Sequence, residues 1–130
     1  MTAANTEAPE VFQTERAGDV LIVLPQPSAR TFGEAEVSHR LAGLLAEYRA
    51  SGAVHAVVDF AGVPYFGSSL LEAVRTLWNE VRARSGRVAL CGVAPLGRDV
   101  LHVAKYDTVW LLCATRDEAL AAVHQEPAAG

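Results

Sequence analysis

Cysteine is scarce in this chain, which has only Cys91 and Cys113. Both sit within apolar runs and lack a close metal-ligand spacing, so they read as buried, reduced thiols of a cytoplasmic protein. Positive charge is also sparse. The 11 lysines and arginines are scattered and the formal net charge is -4, which leaves no basic stripe for nucleic acid. No apolar run approaches the ~18 residues of a membrane span. The opening residues, MTAANTEAPE, lack the basic start and apolar core of a secretion signal. A glycine-rich phosphate loop, a dinucleotide fingerprint and a metal-ligand cluster are missing as well, so no cofactor and no metal is expected. Apolar residues make up 51% and charged residues 20% of the 130, which is globular composition at the size of one domain. Residues 11–124 are expected to form that domain, with 1–10 and 125–130 as loose tails.

What is present is an alternation. VFQTER and VLIVLP are two strand-like runs separated by the turn signal AGD, which predicts a hairpin. From Glu34 to Ala50, the apolar residues Val37, Leu41, Leu44, Leu45 and Tyr48 recur at the spacing of one helix face. Val54 to Phe60 is apolar almost throughout, as suits a strand covered on both faces. Leu71, Val74, Leu77, Trp78 and Val81 mark a second helix, and RVALCGV is a third buried strand. PLGRDVLHVA predicts a short helix, with its proline in the first turn. VWLLCA is another strand, and RDEALAAVHQ a last helix with acids at the positive end of its dipole. The predicted class is α/β: one domain with a mixed, mostly parallel sheet, an N-terminal β-hairpin and four helices.

Between strand and second helix stands VPYFGSSLL, residues 63–71. Ser69 and Glu72 match a capping box, which explains one serine without any function and places Ser68 just outside the helix. A hydrolase elbow is the competing chemistry, but it needs G-x-S-x-G, and Leu70 and Leu71 stand where small residues would be wanted. The histidines are spread through the chain: His39 mid-helix, His55 in a strand, His102 in the third helix and His124 near the end. They offer no ordered triad, so no enzyme activity is expected.

The run VVDFAGVPYFGSSLLEAV, followed by SGRVALCGVAP and YDTVWLLCATRDEALAAV, resembles the STAS domain across residues 11 to 123. That family includes bacterial anti-sigma-factor antagonists, stressosome components and cytoplasmic domains of sulphate transporters. Asp59, Gly62, Val63, Tyr65, Ser68, Ser69 and Leu71 fall on positions of its central motif. In the antagonist branch the first serine of the pair accepts phosphate from a serine kinase that is itself the anti-sigma factor. The resemblance thus implies Ser68 as phosphoacceptor, with Asp59, Gly67 and Ser69 beside it. Pro64, Phe66, Leu70 and Arg75 are the expected partner contacts. Gly67 stands where the family usually has Asp, and Leu70 where it usually has Gly. Those departures keep open a second role as a non-phosphorylated STAS subunit of a lipid-transport ATPase or a signalling scaffold. The expected protein is a monomer or weak homodimer that touches neither nucleic acid nor membrane directly.

Overall fold

A computed structural model describes residues 12–26, 34–61, 63 and 68–125, with side chains from residue 37 in the first helix and residue 70 in the second. The proposed tails, together with Gly62, Pro64, Tyr65, Phe66 and Gly67, lie outside the described residues, apart from Gln125. The elements are β1 (Phe12–Ala17), β2 (Val20–Pro25), α1 (Glu34–Ser51), β3 (His55–Asp59), α2 (Ser68–Ala83), β4 (Val88–Cys91), α3 (Pro95–Val103), a 3-10 turn (Tyr106–Thr108), β5 (Leu111–Cys113) and α4 (Arg116–Ala122). The five strands lie in the order β1-β2-β3-β4-β5. β1 runs antiparallel to β2, and every other pairing is parallel. This is the predicted single α/β domain.

Strand alternation splits the apolar side chains between two layers. Leu21, Val23, Ala56, Val58, Val88 and Leu90 face one side, where Leu44 and Tyr48 of α1 and Leu70, Val74, Leu77 and Val81 of α2 close over them. Val20, Ile22, Val57, Ala89 and Cys91 face the other, under Ala119 of α4 and Val123 just after it. α1 and α2 are also tied by a two-pronged ion pair, Arg49 to Glu80, with both contacts at 2.9 Å. Arg84 adds donations to the carbonyls of Ala53 and Arg49, each at 3.0 Å.

Two boundaries differ from expectation. α2 starts at Ser68, so Ser68 belongs to the first turn and not to the loop before it. A first-turn N–H has no intrahelical partner in any case, which makes serine acceptable there. β5 is only Leu111–Cys113, because the chain before it is wound into the 3-10 turn, where Val109 and Trp110 donate their N–H groups to the Tyr106 carbonyl.

Candidate functional site

β3 delivers the chain to one end of the sheet, and α2 carries it back. The connection is anchored at both sides. Phe60 and Val63 are buried before it, Leu70 and Ala73 after it, and Val63 donates its N–H to the Phe60 carbonyl at 2.9 Å. This end of a parallel sheet, outside the carboxyl ends of its strands, is where such folds place their sites.

Asp59 ends β3 and is the one buried charged side chain among the described residues. Its Oδ1 accepts the Ala61 N–H at 2.9 Å. Its Oδ2 accepts from Arg116 Nε at 3.1 Å, while a second Arg116 nitrogen reaches Glu15 at 2.9 Å. The carboxylate therefore holds the turn that leaves β3 and is itself held by the first residue of α4. Arg116 was invisible as a site residue in the sequence, because 57 positions separate it from Asp59. Opposite Asp59 in register is Cys91. Burial first, then the Asp59 charge and the hydrogen bond to it, push the Cys91 thiol up to about 12, so it stays a neutral donor. Gly92 follows with φ +69, and a Cβ there would lie 2.9 Å from the Ala61 nitrogen. Only glycine permits that close approach beside the Asp59 turn.

Ser68 and Ser69 are the first two residues of α2. The Glu72 carboxylate lies 3.4 Å from Arg75 one turn along; the Ser69 side chain of the expected capping box lies outside the described residues. Arg75 is exposed at 44% of its side chain and remains available at the surface. Leu70 does not. It is 5% exposed and packs into the α1/α2 core, which corrects its assignment as a partner contact. The physical reason is helical phase: Leu70, Val74, Leu77 and Val81 share one stripe. That spacing is present in the sequence.

The described histidines are dispersed over the domain. His102 is exposed and pairs with Asp107 at 2.8 Å, which raises its pKa through the hydrogen bond and then the charge. His55 and His124 instead meet Asp19 at the opposite end of the sheet. An open cleft of about 370 Å³ runs between β1 and α1, lined by Phe12, Thr14, His39, Gly43 and Glu47 among others. None of the described helices is long and apolar enough to cross a membrane.

The STAS domain family model matches residues 12–119. Among solved structures, an anti-sigma-factor antagonist (STAS) domain protein from Planctomyces limnophilus is 29% identical, with a TM-score of 0.74 over 88% of this chain and 98% of that one. The anti-sigma factor antagonist SpoIIAA in its unphosphorylated form is 20% identical, with a TM-score of 0.71 over 86% of this chain and 95% of that one. The phosphorylated form of SpoIIAA, the Bacillus cell fate determinant, gives 0.64 at 20% identity, over 87% and 99%. At 20% the likeness shows the fold. No curated protein matches the chain.

Proposed function

The chain belongs to the STAS domain family, and from that premise we propose that it is an anti-sigma-factor antagonist: a regulatory module that binds a serine-kinase anti-sigma factor and is switched by phosphate on Ser68. The observation that carries this reading is the position of Ser68 as first residue of α2. A phosphoserine brings roughly −1.5 to −2 charges near neutral pH. A helix start tolerates that charge, because its free N–H groups and dipole face the anion. The added charge acts on the partner, which would have to cover it without a compensating group. Association is lost and the fold is kept.

Leu70 supports the same reading. A branched side chain at a position the family usually fills with glycine would obstruct an approaching kinase if it pointed outward, and this one is buried. Partner contact then falls to residues 64–67 and the exposed side of α2, where Arg75 stands. Asp59 serves here as a positioning residue, held by Arg116 and holding the turn before the loop. Gly67 leaves no carboxylate beside the acceptor.

The test is incubation of the full chain with its cognate serine-kinase anti-sigma factor, magnesium and ATP, read by intact mass. One phosphoryl group is expected on the wild type and on Ser69→Ala, and none on Ser68→Ala. No mass gain on the wild type would remove the phosphoswitch and leave a docking subunit of the same fold.

A further inference from the structure

At the end of the sheet away from the serines, three elements bring chemistry together that the sequence keeps up to 105 residues apart. Asp19 comes from the β1–β2 turn, His55 opens β3, and His124 follows α4. One ligand atom from each lies within 4.8 Å of the others. His124 Nε2 is 2.7 Å from Asp19 Oδ1, and His55 Nε2 is 3.8 Å from Asp19 Oδ2. Ligand atoms around a tetrahedral zinc ion, at bonds of 2.0–2.2 Å, stand about 3.3–3.6 Å apart, between those two separations.

The orientation of His124 adds a second argument. Its Nδ1 lies 3.1 Å from the Leu120 carbonyl, which can only accept, so that nitrogen carries a hydrogen. A histidine whose other nitrogen donates to a backbone carbonyl has the arrangement typical of metal ligands. Nε2 then faces the Asp19 carboxylate at 2.7 Å, a separation that opens by about 0.6 Å when both atoms bind one ion. We propose that Asp19, His55 and His124 form a binding site for a late divalent transition metal such as zinc, which clamps the β1–β2 hairpin to the end of α4. Two imidazoles and one carboxylate suit such ions and not magnesium or calcium. Asp19 and His124 are about half exposed, so a water can complete the coordination.

His55 is the weakest of the three ligands. Its Nδ1 accepts the Arg87 N–H at 3.0 Å, which puts its own hydrogen on Nε2. Coordination through Nε2 moves that hydrogen to Nδ1 through solvent, and the Arg87 amide must turn away. Any proton shared between His124 Nε2 and Asp19 leaves to water as the ion enters.

The test uses the full chain, zinc chloride and magnesium chloride, with isothermal titration calorimetry and thermal melts. Zinc is expected to bind one to one. At 100 times the dissociation constant it should shift the folding equilibrium about 100-fold, a rise in melting temperature of roughly 10 °C; magnesium should produce none. His124→Ala should remove the zinc-dependent rise, and Asp19→Asn, which can still accept a hydrogen bond, should weaken binding at least tenfold. His55→Ala should weaken it less than His124→Ala does. Because each variant is compared with and without zinc, a change in its basal stability does not enter the result. No zinc-dependent rise in the wild type would mean that a proton alone bridges the pair and would overturn the proposal. A rise that survives in the His55→Ala/His124→Ala double variant would overturn it equally, by placing the ion elsewhere on the chain.

Discussion

Against one face of the sheet, α1 and α2 set Leu44, Tyr48, Leu70, Val74, Leu77 and Val81 into a continuous apolar layer. Against the other lie Ala119 of α4 and Val123 at its C-terminal cap, with Leu120 partly buried beside them. Seven residues long, α4 cannot hold itself in place by apolar area alone, since a short helix depends on its packing. Polar contacts act at both of its ends. Arg116 reaches Asp59 and Glu15 at the start, and His124 reaches Asp19 at the finish. Thr115 caps the first turn by accepting the Glu118 N–H at 3.2 Å. A thick apolar layer is indifferent to ions and protons, whereas a thin layer pinned by charges responds to both. The helix that begins at the serines, α2, belongs to the thick layer, and under the proposed function a phosphate there acts on the partner and not on the fold.

The largest expected effect lies on the thick side. Leu77→Ala should cost about 3 kcal/mol in urea denaturation, from lost transfer energy and the cavity left among fixed neighbours. Val123→Ala, under the thin layer, should cost about 1 kcal/mol by the same measure. Equal costs would erase the contrast between the faces.

Arg116→Ala comes next. It leaves the Asp59 carboxylate, 11% exposed in its side chain, with the Ala61 amide but no cation, at a cost of about 2 kcal/mol. Asp59→Asn in the same chain should recover part of that loss, because the unpaired charge is gone. A double variant no better than Arg116→Ala would show that the arginine acts on Glu15 instead.

The smallest effect belongs to His102, where the exposed pairing with Asp107 is screened by water. Its folded pKa is raised above the usual value of about 6.5. The pairing therefore adds stability below that ordinary value and loses it as pH climbs through the raised one. A histidine proton titration by NMR should place His102 above an unstructured histidine, and Asp107→Asn should bring it back.

How far this arrangement could be read from the sequence depended on the range of each contact. The alternation of apolar strands with 3.6-period helices is local, so the hairpin, the parallel strands and all four helices were legible, as was the family through VVDFAGVPYFGSSLLEAV. Leu70 was misassigned because a motif position was weighed above the helical phase it shares with Val74 and Leu77. The start of α2 was misplaced by one residue, since Ser68 and Ser69 are equally good near a helix start. The Arg116 contact with Asp59 and the meeting of Asp19, His55 and His124 had no signature at all. They arise only when parallel register brings the starts and ends of distant strands to common edges.

The most direct test compares wild type with Ser68→Asp, measuring affinity for the cognate anti-sigma factor by calorimetry and melting temperature in the same buffer. The account predicts at least tenfold weaker binding by the variant, with melting temperatures that agree within about 2 °C. Equal affinities, or a loss of binding matched by a collapse in melting temperature, would contradict it.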